Sequence, residues 1–392
     1  MPDYTPEQQR VLDAVDSRAD ELRRISRELH THPELGYEEH LAHDLLTSVL
    51  EDEGFEVVHS AFGMGTAFKA VAGSGSPTVA ILCEYDALPA LGHACGHNLI
   101  AALGIGVGVA LKDALEGHEG TVIVLGSPAE ERGGGGKVKL IEAGAFEGVD
   151  AAVMAHPSTA DRAASLSLSH RLFNVEFFGK AAHAAGAPWL GNNALDAMIQ
   201  AFSAVGLLRQ QIHPTHRVHG IITHGGDSPN IVPEHTSALF QVRAPSRDEV
   251  EALLTRVLAC FEGAAQQTGC RFEYSWAGIG YEDLRQNPVL AAAYQQHFQG
   301  FGGTISPPAP AGSTDMGNVS HVLPALHPNF KIPVADGQGN HTRSFEEAAG
   351  KPEAEDAMLQ AAKALALTTL EAYSSQTFLS EMRAAFDGGV SL

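Results

Sequence analysis

TVAILCEYDALPALGHACGHNLIAALGIGVGVAL, residues 78–111, decides the fold. The run from Val79 to Cys83 is apolar without interruption, as in a strand covered on both faces, and it ends in acids. From His97 onward the chain reads as a long apolar helix. Between strand and helix lie Asp86, His93, Cys95 and His97, with Gly92 and Gly96 available for tight turns.

The same alternation extends in both directions. Upstream, Thr5 is a candidate N-cap with Pro6 at the first helical position, and apolar spacing carries one helix to about Leu29. A second helix ends at Gly54, and FEVVHS and GTAFKAVAG read as short strands. Downstream come a buried strand (TVIVLGSPAEE, 121–131), a helix (GKVKLIEAGAF, 136–146) and a third buried strand (DAAVMAHP, 150–157). The expected class is α/β, with a mostly parallel sheet flanked by helices.

The 392 residues, 44% hydrophobic and 18% charged, are enough for two or three domains. A net charge of -22 repels nucleic acid and anionic membranes. Four cysteines at irregular spacing argue against a disulfide framework. The N-terminal residues lack a signal-peptide pattern, and LIAALGIGVGVAL is too short to span a bilayer, so the expectation is a cytoplasmic protein.

Open α/β sheets hold their sites beyond the carboxyl ends of the strands. Here the first strand supplies Asp86, with Cys95 and His97 in the loop after it; the second supplies Glu130 and Glu131; the third supplies His156. Each element alone has an ordinary reading: a buried small cysteine, a solvated acidic turn, a loop histidine. Their recurrence at successive strand ends is what points to metal, since thiolate, imidazole and carboxylate together suit zinc or a neighbouring transition ion. A cysteine hydrolase with Cys95 as nucleophile and His97 as base is a further reading, weakened by the lack of a visible orienting group.

From about residue 168 the pattern changes to strand, helix, two strands, helix, strand, an α+β sandwich inserted into the first domain. The helical and strand pattern of the first domain resumes after about 283, giving expected divisions of 1–167, 168–282 and 283–392.

HACGHN, SPAEE, MAHP, GKAAHAA and GNHTRSF, in that order, resemble the motif set of the cocatalytic-metal aminoacylase and carboxypeptidase family. The Cys-Gly-His form is similar to its amidohydrolase branch, and GSTDMGNVSHVLP to the subgroup of p-aminobenzoyl-glutamate hydrolase and a basic-amino-acid dipeptidase. The resemblance implies hydrolysis of the amide bond in N-acyl or N-aroyl amino acids or dipeptides carrying a free carboxylate. It implies two divalent ions per subunit, zinc foremost with manganese, cobalt and nickel as alternatives, held by Cys95, His97, Glu131, His156 and His341. By the same likeness Glu130 is the general base, Asp86 supports a ligating imidazole, and His183 stabilises the oxyanion. Asn230, Arg243, Gly312 and Ser313 bind substrate, and the inserted domain is a lid that dimerises the chain. His93 has no ligand role in the pattern and reads as a surface or supporting histidine. Asn98 stands where most relatives carry Asp, which puts any electrostatic role of that position in doubt. A metal-binding protein without turnover is the alternative, and Glu130 argues against it.

Overall fold

The computed structural model describes residues 4–309 and 312–390. In chain order the first part holds α1 (Pro6–Ser17), α2 (Ala19–Thr31), α3 (His40–Asp52), β1 (Glu56–His59), β2 (Phe68–Ser74), β3 (Thr78–Glu84), α4 (His97–Ala114), β4 (Gly120–Ser127), α5 (Gly136–Glu142), β5 (Ala151–Val153) and β6 (His156–Ser158). The middle holds β7 (Ser169–Phe178), α6 (Ala194–Leu208), β8 (Arg217–His224), β9 (His235–Ala244), α7 (Arg247–Thr268) and β10 (Arg271–Trp276). The last part adds α8 (Pro288–Gly300), α9 (Met316–Ser320), β11 (Ala325–Leu326), β12 (Asn329–Lys331), α10 (Arg343–Ala349), α11 (Pro352–Ser374) and α12 (Gln376–Asp387).

These fall into two compact units, the described parts of Met1–Leu166 with Leu284–Leu392, and Ser167–Asp283. In the first, six strands run in the order β1-β2-β4-β3-β5-β11. The four strands from β4 to β11 are parallel to one another, and β2 meets β4 antiparallel. The apolar run of β3 is explained by its two faces. Val79, Ile81 and Cys83 enter the core under α4, while Ala80 and Leu82 enter a second core with Leu140 of α5 and Met316 of α9. The glycines of α4 bring the helix close to the sheet: a Cβ at Gly104 would lie 2.4 Å from Cys83 Sγ, and one at Gly108 2.4 Å from a Val124 methyl.

One element reading changes. The N-terminal helix is broken at Arg18, whose guanidinium is forked onto Glu53 at 2.7 and 2.8 Å. At the other end of the chain α11 is followed by α12, capped by the Ser375 side chain. Thr5 does cap α1, within a capping box completed by Gln8.

The second unit is an antiparallel sheet in the order β10-β7-β9-β8, with α6 and α7 packed on it over a core of Phe173, Phe177, Phe240 and Phe261. Among the described residues, no helix is long and apolar enough to cross a membrane.

Candidate metal centre

Six of the predicted residues come together in the first unit. Cys95, His97 and His156 each offer a ligand atom within 4.8 Å of the others, as do Cys95, Glu131 and His341, and also His97, Glu130 and Glu131. Cys95 Sγ lies 3.5 Å from His156 Nε2, and His341 Nε2 lies 3.3 Å from Glu131 Oε1. Local backbone makes this possible. Gly96, at φ 78, precedes α4, and a Cβ there would sit 2.4 Å from the Pro157 ring, so only glycine lets the Cys95 turn press against the segment carrying His156. Ala129 and His341, at φ 55 and 66, hold left-handed backbone beside and within the cluster.

The tautomers follow from the partners. His97 Nδ1 faces the Asp86 carbonyl at 2.8 Å and Asp86 Oδ1 at 3.0 Å, both acceptors, so it carries the proton and leaves the Nε2 lone pair inward. His156 Nδ1 donates to the Pro157 carbonyl at 2.7 Å with the same result. Asp86 also accepts the Glu131 backbone N–H through Oδ2 at 2.9 Å, and so fixes two candidate ligands at once.

His97 Nε2 and Glu131 Oε1 are buried without a hydrogen bond to any described residue. Burial, then the carboxylates of Glu84, Glu131 and Asp315, push the Glu130 carboxyl well above its usual range, and burial followed by the Cys95 charge pushes Glu131 up to about 7. Acids and lone pairs crowded in this way are costly unless a cation takes them, so the donor set fits divalent metal.

The objection to a cysteine nucleophile that no orienting group is visible does not hold, and an imidazole other than that of His97 is beside the thiol. His156 approaches the sulfur, and Asp86 orients His97. What separates this centre from a Cys-His-Asp nucleophile is that Cys95 belongs to two ligand groups at once, one with His97 and His156 and one with Glu131 and His341, which nucleophile activation does not require.

Beneath Glu130 lies a group that motif reading missed. The Lys137 ammonium is fully buried between Glu84 and Asp315, and Glu84, Glu130 and Asp315 themselves converge within 4.8 Å. His327 was also missed. Its ring centroid is 5.5 Å from that of His156, and burial followed by the His156 charge pushes its pKa down to about 3. His93 is not on the surface: it is 2% exposed, stacked on His30.

Asn98 is buried. Its Nδ2 donates to Ser26 Oγ at 2.9 Å and to the Ala349 carbonyl at 3.1 Å, tying the start of α4 to α2 and α10. A carboxylate there would face a carbonyl oxygen with no proton to give. Asn98→Asp is therefore expected to cost about 3 kcal/mol of stability in denaturant titration.

The remaining candidates are in the second unit, apart from two. His183 and Asn230 sit on paired segments, with the Ala184 N–H donating to the Asn230 carbonyl at 3.0 Å. Arg243 is eight residues along β9 from His235, roughly 25 Å at strand rise, where it pairs with His170 and Arg217. Gly312 and Ser313 lie before α9 in the first unit, Gly312 exposed.

The chain is 44% identical to the Xaa-Arg dipeptidase of Mus musculus over 96% of its own length and 91% of that protein's, and residues 170–268 match the peptidase dimerisation domain of the M20 family. The chain belongs to the M20 peptidase family. It is also 36% identical to one of the subunits of the p-aminobenzoyl-glutamate hydrolase of Escherichia coli, over 67% of this chain and 60% of that one. A dinuclear metal-binding M20 peptidase of Bacillus subtilis shares the fold, with a TM-score of 0.71 at 23% identity, covering 91% of this chain and 99% of that one. The M20 chain is thus a metal-dependent amidohydrolase with a mainly parallel catalytic sheet, as its motifs imply.

Proposed function

We propose that this M20 enzyme is a dipeptidase, cleaving the amide bond of dipeptides with a basic carboxyl-terminal residue. The observation that carries this is the 44% identity, across nearly the whole chain, to a protein named for Xaa-Arg dipeptides. The net charge of -22 supports it, because an acidic protein attracts a cationic dipeptide more than p-aminobenzoyl-glutamate.

Two divalent ions, zinc foremost with manganese, cobalt or nickel as alternatives, would be held by Cys95, His97, Glu131, His156 and His341. When bound they supply Lewis-acid chemistry, acidifying water and polarising the carbonyl. Glu130 takes the proton of the attacking water and gives it to the leaving amine nitrogen. Asp86 keeps His97 in its tautomer. His183 is the oxyanion donor in this reading, and Asn230, Arg243, Gly312 and Ser313 hold the substrate. The match to a dimerisation domain supports a homodimer formed through 168–282, between catalytic parts 1–167 and 283–392. Cysteines that are all free support a cytoplasmic setting.

The test is hydrolysis of alanyl-arginine, alanyl-lysine and p-aminobenzoyl-glutamate before and after chelation. The expected result is the highest kcat/KM on the two cationic dipeptides, loss of activity on chelation and its return with added metal. Cleavage of p-aminobenzoyl-glutamate alone overturns the substrate class. Activity that survives chelation restores the cysteine-hydrolase reading.

A further inference from the structure

His327 occupies the two-residue link between β11 and β12, at the carboxyl end of the parallel strand next to the one that leads to His156. Its backbone is clamped from both sides by one buried side chain. Gln286 Oε1 accepts the His327 N–H at 2.8 Å, and Gln286 Nε2 donates to the His327 carbonyl at 3.0 Å. The ring is in the opposite condition. It is 4% exposed, packed against His156, and neither of its nitrogens has a hydrogen-bond partner among the described residues. Two unsatisfied nitrogens in a buried ring cost stability, and a chain that anchors the backbone of such a residue holds the ring ready for a group that arrives later. Metal ligation does not explain it: His327 is in none of the clusters whose ligand atoms converge. Nor does it orient His156, whose Nδ1 is already satisfied by the Pro157 carbonyl.

The arriving group is best an acceptor. The inward-facing atoms of Cys95, His97, His156, Glu130 and Glu131 are all lone-pair bearers, and the buried ammonium nearby, that of Lys137, is taken by Glu84 and Asp315. Resting on the amidohydrolase reading above, we propose that His327 is a substrate-contacting residue whose ring N–H donates a hydrogen bond to the carbonyl oxygen of the amide being cleaved.

The test uses alanyl-arginine and the full-length, metal-loaded protein with His327→Phe, which keeps a ring and removes the donor, and His327→Gln, which keeps a donor. The expected result for His327→Phe is a fall in kcat of about 10²- to 10³-fold, the loss seen when one donor to a developing oxyanion is removed. KM and metal content should stay near wild type, the melting temperature should not fall, and His327→Gln should restore most of kcat. An unchanged kcat in His327→Phe overturns the proposal. So does metal lost together with activity, which would mean that the residue acts through His156. If His327→Phe does not fold, His327→Gln decides: near-normal kcat supports the proposal, and a folded, metal-replete but inactive protein overturns it. Wild-type protein that cleaves no amide in the panel defeats the functional reading instead, and is separate from all of these outcomes.

Discussion

Replacing Glu130 by glutamine is expected to lower kcat on a cleaved dipeptide by about 10²- to 10⁴-fold, the range supplied by a positioned general base. Metal content should hold, because Cys95, His97, Glu131, His156 and His341 are untouched by the change. Stability should move the other way. Glu130 is buried, and Glu84, Glu131 and Asp315 add repulsion that raises its pKa well above the usual carboxylate value. Glutamine removes that repulsion while keeping the shape, so the metal-free variant should melt at a higher temperature than the metal-free wild type. Calorimetry alongside metal analysis and steady-state kinetics checks all three. Wild-type kcat in the variant would remove Glu130 from the role of base, and coincident loss of metal would make it a ligand.

The candidate centre is legible in the sequence, whereas the buried group that supports it is not. The candidate ligands are chemically distinctive types at the ends of strands whose apolar runs are themselves plain, so residue type and position pointed the same way at Cys95, His97, Glu131 and His156. The buried ion group carries no such local sign. Lys137 follows four glycines and precedes a helical pattern, where an exposed lysine is the ordinary reading, and its partners are 53 and 178 residues away. Only the folded chain brings Glu84, from the end of β3, and Asp315, from the start of α9, to the same ammonium. His327 and Gln286 are likewise 41 residues apart, and a histidine before a proline has no pattern of its own. Asp86 was visible, but its double use by His97 and Glu131 depends on a distance that spacing does not give. Strand direction behaved in the same way: the apolar run announced that β3 is covered on both faces, whereas nothing in GTAFKAVAG told that β2 runs against β4.

Lys137→Met is the second large effect. The ammonium is fully buried, bonded to Glu84 and Asp315, and the Lys137 backbone N–H donates to Asp315 Oδ2 at 2.9 Å. Burial alone would raise the Glu84 carboxyl, but the Lys137 charge, helped by His97 and His156, outweighs it and holds Glu84 ionised. Removing one partner of a buried ion group strands the others. Two carboxylates would then face each other and Glu130 with no cation between them, at a cost of about 3–5 kcal/mol. Methionine fills much of the lysine volume, so little of that loss would come from a cavity. The decisive comparison is with Lys137→Met in a Glu84→Gln, Asp315→Asn background, where the stranded charges are gone. If charge is the cause, the triple variant should recover most of the stability lost by the single one, since a buried ion group replaced as a whole is often close to neutral. Denaturant titration of the metal-free proteins measures both. Equal loss in the single and triple variants would assign the effect to packing instead. Because Lys137 is the second residue of α5, just after the glycine-rich segment that follows Glu130 and Glu131, the single variant should also bind metal more weakly, and the triple variant should recover less of that affinity than of its stability. The charges can be removed together, but the tether from α5 to β3 and α9 cannot be replaced by neutral side chains of the same strength.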